Sequence, residues 1–480
     1  MSTGTPVLYE GTTGVADAGG DSLNEDLNVY YAAGDLAWIM TSSALVLLMV
    51  PGVGFFYSGL ARRKSALALI WLSLMSIAVV FFQWFFWGYS LAFSHSSNNP
   101  YIGDLSNFGL KDVLAQPSVG GSRVPDVLFC LYQGMFAAIT PALAIGAAAD
   151  RGRMLPCLVF IFIWTTIVYD PIAYWTWNPK GWSFIMGGLD FAGGTPVHIS
   201  SGAAALAYSL MLGKRTGYNK VNGLPYRPHN VTHVVLGTVF LWVGWFGFNG
   251  GSALAGNLRA VMACLVSQIA ACVGGFTWCL LDYRLERKWS TVGFCSGVIS
   301  GLVAITPASG FVPPWSAVIF GIVGGAGCNF ATKLKFIIGV DDAIDIFAEH
   351  GVGGIIGNLL TGLFAANYIA HLDGATVIAG GWVNQNYVQL GFQLADSVAG
   401  FSYSFVMTCV ILFLMNLVPG LSLRVSAEEE ELGLDDGQLG EFAYDYVELS
   451  RHVNDIVTLA TPGSSGDATS LKGGDPEKTV

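Results

Sequence analysis

Two acid–histidine pairs are the residues of this chain best suited to chemistry. Asp190 lies eight residues before His198, and Asp342 lies eight residues before His350. Each histidine is followed by an apolar stretch rich in small residues, of the kind that forms a membrane helix. A charged side chain within such a helix costs about 2.5–3.5 kcal/mol on insertion scales, so ionisable residues there usually mark a substrate path. The matched pairs therefore predict a path through a membrane for a small polar molecule.

The residues around the histidines favour close packing of the helices that carry them. His198 is soon followed by Gly202, and His350 by a small-xxx-small pair, Gly353 and Gly357. Small residues allow two membrane helices to approach closely. Two imidazoles brought together in this way can share a hydrogen bond, and each ring then fixes the tautomer of the other. The alternative is that each histidine is a core residue bonded to a carbonyl or a hydroxyl group.

The composition indicates that membrane helices position these residues. The chain has 480 residues, of which 53% are hydrophobic and only 11% are charged, whereas soluble domains have about 25% charged residues. This balance excludes an ordinary soluble enzyme and predicts an all-α polytopic membrane protein. Eleven apolar runs are long enough to span a bilayer: 38–57, 67–93, 127–148, 155–175, 197–212, 231–249, 258–281, 291–306, 315–334, 350–367 and 394–417.

Basic residues fall mainly in alternate loops between these runs. Fourteen lysines and arginines lie in one set of loops and four in the other. By the positive-inside rule this asymmetry predicts an amino terminus outside the cell and a carboxyl terminus in the cytosol. The richer set comprises Arg62, Arg63, Lys64, Arg151, Arg153, Lys214, Arg215, Lys220, Arg227, Arg284, Arg287, Lys288, Lys333 and Lys335.

The two histidines lie at the fifth and tenth predicted spans. Matching places at this interval predict an inverted repeat of five helices and five helices, followed by one extra helix, with the site at the interface of the repeats. Coincidence of spacing is the alternative. The predicted organisation is an extracellular segment at 1–37, a membrane domain at 38–420 and a cytosolic regulatory tail at 421–480 that is disordered after about 461.

The tail holds most of the negative charge. It contains 13 acidic against four basic residues, within a chain of net charge −11. Its run of glutamates is predicted to dock on the basic loops, or alternatively to be a solvated acidic stretch. Ser450, next to Arg451, is a candidate for a kinase, because a phosphate would add charge to the tail. The regulatory glutamates are Glu428, Glu429, Glu430 and Glu431.

Several motifs resemble the ammonium transporter family, whose members are called Amt, Mep and, more distantly, Rh. The resemblance extends over about residues 38–444 and is closest to the fungal high-affinity methylammonium permease type, since both pore positions are histidine. The motifs that carry it are PGVGFFYSGLARRK (51–64), YQGMFAAITPAL (132–143), DFAGGTPVHISSG (190–202), GWFGFNGGS (244–252), DDAIDIFAEHGVGG (341–354) and LRVSAEEEELGLD (423–435).

This resemblance implies a homotrimer with one pore in each subunit, and it assigns roles to individual residues. Aromatic rings attract cations and a hydroxyl oxygen accepts N–H hydrogen bonds, which suits recruitment of ammonium. Without the motif context, the same tryptophan would be an interface anchor and the phenylalanines core residues. The implied roles are recruitment at Trp177, Ser252 and Tyr132, a gate at Phe136 and Phe248, a pore at His198 and His350, and structural and electrostatic support at Asp190.

The resemblance implies transport of ammonium and methylammonium across the plasma membrane, regulated by the tail, with ammonium sensing as a further predicted role. The expected partners are the lipid bilayer, two further copies of the chain and a kinase; no nucleic acid, metal, cofactor or enzymatic activity is expected. One alternative is a passive channel for neutral ammonia, and another is a sensor with minor transport. An intramembrane metalloenzyme is disfavoured because the chain has no HExxH motif.

Overall fold

A computed structural model describes residues 22–219 and 227–444. Within these residues, helices occupy all eleven predicted segments, and we number them α1 to α11. Their bounds are α1 Ala33–Leu60, α2 Arg63–Phe93, α3 Asp126–Ala148, α4 154–177, α5 194–212, α6 Val231–Gly251, α7 Leu258–Glu286, α8 Thr291–Ala308, α9 Pro314–Ala331, α10 Phe347–Phe364 and α11 Gln389–Leu417.

Shorter elements connect the long helices. A short β-hairpin departs from the all-α prediction: strands β1 (Pro117–Ser118) and β2 (Gly121–Pro125) pair antiparallel before α3. The segment is too short and too polar for a span, and glycines at its turn favour a hairpin. The short helices are Leu27–Tyr30, Phe108–Leu110, Trp182–Met186, Leu334–Ile338, Asn367–Ala370, His371–Asp373, Trp382–Asn384, Ala427–Leu432 and Asp435–Leu439.

The long helices have the length and the apolar surface that a bilayer requires. Nine in the described ranges are long and apolar enough to cross a membrane, and a bent pair, Phe347–Phe364 with Asn367–Asp373, makes a tenth. Large apolar side chains are exposed along their outer faces, including Phe82, Ile322 and Phe413. Contiguous exposed apolar surface of this kind is stable against lipid but not against water. The protein is therefore a helical polytopic membrane protein.

Helix α5 is the predicted span that falls outside this group. It carries Thr195, His198, Ser200 and Ser201, and nearly all of its residues are buried. Because protein rather than lipid surrounds it, the helix needs no apolar outer face, and its polar side chains find partners inside the bundle. Its position at the centre of the fold explains its weak apolar signal.

Helices α5 and α10 run antiparallel and touch through their backbones. Gly194 at the start of α5 faces Asn358, whereas Gly202, two turns later, faces Gly351. A Cβ atom added at Gly202 would lie 2.1 Å from the backbone nitrogen of Gly351. No side chain fits in that space, so the glycine is required for the two helices to meet.

Four loops rich in charged residues meet on one face of the bundle, which we call the basic-loop face. Arg215 binds Asp341 through two guanidinium nitrogens and Asp150 through a third, at 2.8–2.9 Å. Burial raises the pKa of Asp341, but hydrogen bonds and charge from Arg215 outweigh it, so this pKa lies below its usual range. Burial also lowers the pKa of the Arg151 guanidinium to about 10. These buried pairs join three loops that are distant in sequence, and Arg62 of a fourth loop lies 3.4 Å from Asp150.

The first part of the tail packs on the same face. Backbone hydrogen bonds join Val425 to Arg151 and Arg153 to Leu423. The Asp435 carboxylate accepts hydrogen bonds from the backbone nitrogens of Leu67, at 3.1 Å, and Ala68, at 2.8 Å, near the start of α2. A carboxylate at a helix amino terminus stabilises the helix. The tail thus contributes a cap to a membrane helix far earlier in the chain.

Candidate functional site

A cavity of about 630 Å³ opens on the face opposite the basic loops, and we call it the vestibule. Trp177 and Ser252, which were predicted as recruitment residues, line it together with Asp190, which was predicted as a supporting acid. The Trp177 indole donates to the backbone carbonyl of Asp190 at 3.1 Å, which fixes the orientation of its ring. Tyr132 lies behind the vestibule wall and is fully buried. Its hydroxyl donates to the carbonyl oxygens of Gly247 and Phe248, both at 2.9 Å, and lies 3.3 Å from the Ser252 oxygen.

Two phenylalanine rings close the floor of the vestibule. Phe136 and Phe248 are stacked, with ring centroids 4.2 Å apart and planes inclined by 26°. Phe136 also meets the Trp177 ring edge to face at 5.9 Å. Both phenylalanines are buried, and a stacked pair has no gap that a molecule could pass. The two phenylalanines predicted as a gate are therefore in contact.

The two histidines lie directly below this stack and share a hydrogen bond. Their Nδ1 atoms are 3.1 Å apart, so one Nδ1 carries the proton and the other accepts it. His198 also stacks on Trp245 with centroids 5.6 Å apart. Within the described residues the Nε2 atom of His198 has no hydrogen-bond partner. The imidazoles are thus bonded to each other and not, as in the alternative, each to a carbonyl or a hydroxyl group.

The histidines border a small apolar cavity. Its volume is about 20 Å³, which is room for about one water-sized molecule. Apart from the two imidazoles, apolar and aromatic side chains form most of the wall, among them Val53, Ile299 and Phe248. A charged species is costly in such surroundings, whereas a small neutral molecule with hydrogen-bonding groups is accepted by the imidazoles.

Each histidine lies in a π-helical turn. The turns span Gly194–Ile199 and Phe347–Val352, and each leads directly into the regular part of its helix. A π turn inserts one extra residue, widens the helix and changes the direction of its side chains, and such turns often occur at functional sites. The same irregularity thus presents an imidazole to the cavity from α5 and from α10.

The acid that precedes each histidine by eight residues anchors its π turn. The Asp190 carboxylate accepts hydrogen bonds from the backbone nitrogens of Gly193, Gly194 and Thr195 at 2.7–2.8 Å. Asp342 accepts one, from the nitrogen of Phe347 at 2.9 Å. A carboxylate bonded to orphan helix N–H groups stabilises the first turn. The repeated spacing therefore has a local structural cause on both helices.

Two further vestibule residues were not predicted. Gln133 lies beside Tyr132, is mostly buried, and its side-chain oxygen has no partner in the described part of the chain. The guanidinium of Arg259 lies between the rings of Phe191 and Phe311, at 4.8 and 4.9 Å. The proximity of Gln133 to the predicted tyrosine was a usable signal. No sequence pattern indicated the Arg259 contacts, which come from distant segments.

The four predicted regulatory glutamates have different environments. Glu430 is fully buried and receives hydrogen bonds from Thr216 and Arg424, both at 2.7 Å. Glu429 closes a capping box with Ser426, whereas Glu428 and Glu431 are exposed. Only one of the four therefore docks on the basic-loop face. Ser450 lies outside the described residues.

The metalloenzyme alternative requires a set of ligands. Over 22–219 and 227–444, no group of three or more histidine, cysteine, aspartate or glutamate side chains is placed to hold a metal ion. The two histidines bind each other, and their acids bind backbone nitrogens. The fold and the site together define a helical membrane protein with a stacked phenylalanine pair above a small, mostly apolar cavity.

Comparison with known proteins specifies the class further. The family model described as Ammonium Transporter Family matches residues 37–444. The chain is 64% identical over 441 residues to Ammonium transporter 1 of Schizosaccharomyces pombe, covering 92% of this chain and 88% of that protein. It is 53% identical over 448 residues to Ammonium transporter MEP2 of Saccharomyces cerevisiae, with coverage of 92% and 88%. The chain belongs to the ammonium transporter family.

Solved structures agree with this assignment. The crystal structure of Candida albicans Mep2 superposes with a TM-score of 0.84 at 52% identity, covering 91% of this chain and 95% of that one. That of Saccharomyces cerevisiae Mep2 gives a TM-score of 0.85 at 52% identity, with coverage of 92% and 97%. The predicted resemblance to fungal Mep proteins is confirmed.

Proposed function

We propose that this protein moves ammonium and methylammonium across the plasma membrane through a pore between the vestibule and the basic-loop face. The observation that carries the proposal is the hydrogen-bonded histidine pair in an apolar cavity directly beneath a closed aromatic gate. The named relatives are ammonium transporters. The proposed role is transport rather than catalysis of a chemical conversion.

Ammonium is recruited in the vestibule as a cation. The face of Trp177 attracts positive charge by about 0.5–2 kcal/mol, and the Ser252 oxygen accepts an N–H hydrogen bond. Both side chains line the vestibule. Asp190 supports this site through the backbone that it anchors and through its negative charge. Tyr132 acts by orienting Ser252.

Selectivity arises below the gate. Ammonium and potassium are similar in size and charge, but only ammonium can lose a proton and continue as a neutral molecule. The cavity disfavours charge and the paired imidazoles offer one acceptor and one donor, so ammonia is stabilised there while potassium is excluded. His198 and His350 are therefore the residues that distinguish the two ions.

The proposed topology has eleven spans, with the amino terminus outside and the carboxyl terminus in the cytosol. Burial of α5 at the centre supports its assignment as a span, and the gathering of basic loops on one face supports the orientation. The antiparallel meeting of α5 and α10 at their histidines supports a five-plus-five inverted repeat. A homotrimer with one pore per subunit completes the proposal.

The tail is proposed to regulate the pore from the cytosol. Residues 1–37 form the outer segment, 38–420 the transport domain and 421–480 the tail. Glu430 and Asp435 join the tail to loops and to the start of α2. Phosphorylation at Ser450 by a kinase is proposed to change this docking, and ammonium sensing would use the same tail.

One observation favours a second candidate, a channel for neutral ammonia. The cavity at the histidines is apolar and holds about one small molecule, so it suits ammonia better than a charged species. The two candidates differ in whether the proton also crosses. Full-length protein in liposomes is given an ammonium pulse while current and internal pH are recorded. An ammonium-specific current identifies a transporter, and alkalinisation without current identifies a channel. The absence of both signals would contradict both candidates.

A further inference from the structure

A second cavity lies on the basic-loop face and is distinct from the vestibule. Its volume is about 500 Å³, and it is enclosed by the ends of α7, α8 and α9 and the segment that leads into α10. We call it the inner cavity. The lining residues with side chains able to contact a cation include Asp282, Ser296, Asn329, Asp345 and Glu349.

Glu349 is the lining residue nearest in sequence to the pore. It directly precedes His350 in the same π turn, and it is 3% exposed. The small apolar cavity at the histidines, which we call the pore cavity, is bordered by His350, whereas the inner cavity is bordered by Glu349. Adjacent residues of one turn thus face two different cavities, so the carboxyl group lies where the two approach each other.

Ser296, on α8, also lies where the two cavities approach each other. It lines the inner cavity, whereas Ile299, three residues later, lines the pore cavity. Three residues of helix correspond to about 4.5 Å along the axis. The inner cavity therefore begins about one helical turn from the histidine level, and Ser296 and Glu349 form the boundary between them.

Several other charged groups of the inner cavity have partners. Arg215 pairs with Asp341 at 2.8 Å, and Lys335 with Asp345 at 2.7 Å. Asp282 accepts a hydrogen bond from Asn329 at 3.2 Å. Glu349, by contrast, forms no ion pair with any basic side chain in the described ranges. A buried carboxylate without a cation is unfavourable, and a bound cation relieves this cost.

We propose that the Glu349 carboxylate and the Ser296 hydroxyl form a binding site for a small monovalent cation at the inner end of the pore. Given the proposed function, on which this inference rests, that cation is ammonium. Ammonium has only N–H donors, and a carboxylate and a hydroxyl oxygen are matching acceptors. The site holds the cation beside His350 on the basic-loop face, as Trp177 and Ser252 do on the vestibule face.

The test measures flux of labelled methylammonium through the full-length protein, reconstituted in one orientation, with the substrate added to either face. Glu349→Gln keeps the size of the side chain but removes its charge. We expect the half-saturating concentration to rise about tenfold from the basic-loop face, as for loss of one charge-assisted hydrogen bond. From the vestibule face it changes less than about twofold. Ser296→Ala gives a smaller rise with the same asymmetry.

Glu286→Gln is the matched control, because Glu286 lines the same cavity but is exposed. It leaves both half-saturating concentrations unchanged. An unchanged Glu349→Gln protein, or one altered equally from both faces, overturns the inner site while the proposed function stands. If Glu349→Gln does not fold, Ser296→Ala alone tests the inner site, by whether its half-saturating concentration rises more from the basic-loop face than from the vestibule face. If the wild-type protein carries no methylammonium, the proposed function fails and this site loses its ligand.

Discussion

The α5 and α10 segments use one backbone arrangement at two chemically different ends of the proposed pore. In each, an aspartate eight residues upstream caps a π turn that presents a histidine. The α5 turn begins at the vestibule beside Trp177, where aromatic rings and neutral polar groups predominate. The α10 turn begins at the inner cavity beside Glu349, where charged groups predominate. The comparison teaches that the histidine site is symmetric while the routes to it are not.

The largest effect is expected where the two segments touch. In Gly202→Val the new side chain would overlap the backbone of α10, since even a Cβ lies 2.1 Å from the Gly351 nitrogen. Overpacking commonly costs about 1–3 kcal/mol, and a clash with backbone belongs at or above the upper end. We expect little folded protein in size-exclusion chromatography after detergent extraction.

Gly391→Ala in α11 is the control for that substitution. An added Cβ at Gly391 meets no atom within 4 Å, and alanine is favoured over glycine in a helix by about 1 kcal/mol. This variant is expected to be extracted as well as the wild type. A folded, fully active Gly202→Val protein would contradict the close contact of α5 and α10.

A smaller effect is expected from the two caps, and it is expected to be unequal. Asp190→Asn loses an acceptor where three backbone nitrogens converge, and its amide N–H groups face at least one of them. An unsatisfied buried donor costs about 1–3 kcal/mol. Asp342→Asn keeps its one hydrogen bond to Phe347 by turning its oxygen to that nitrogen. Thermal unfolding should therefore rank the stability as wild type, then Asp342→Asn, then Asp190→Asn; the reverse order of the two variants would refute the difference between the caps.

The smallest effect is expected at the tail, whose described part packs on the basic-loop face. Glu430→Gln removes a buried charge that binds Arg424 and the backbone of Thr216. Arg424 retains access to solvent, so we expect local undocking rather than unfolding, with tail proteolysis about threefold faster. Glu431→Gln, at an exposed position, is the control and should leave the rate unchanged. Equal cleavage of both variants would show that Glu430 does not hold the tail.

The sequence predicted the framework because its causes are local or periodic. Apolar runs of membrane length identified the helices, and the repeated Asp-to-His spacing identified the two segments that meet. The π turns at His198 and His350 were missed, because one inserted residue leaves no trace in apolar periodicity. Glu349 was missed because an acid near a helix start is also expected as a cap. The stacking of Arg259 depends on distant segments that only the fold brings together.

The central claim is that the histidine pair selects ammonium over potassium. The most direct measurement compares ammonium and potassium transport by wild-type protein, His198→Ala and His350→Ala, each verified as folded by size-exclusion chromatography. We predict that the wild type moves ammonium and excludes potassium, and that each variant loses ammonium transport or admits potassium. Wild-type rate and selectivity in both variants would contradict the claim.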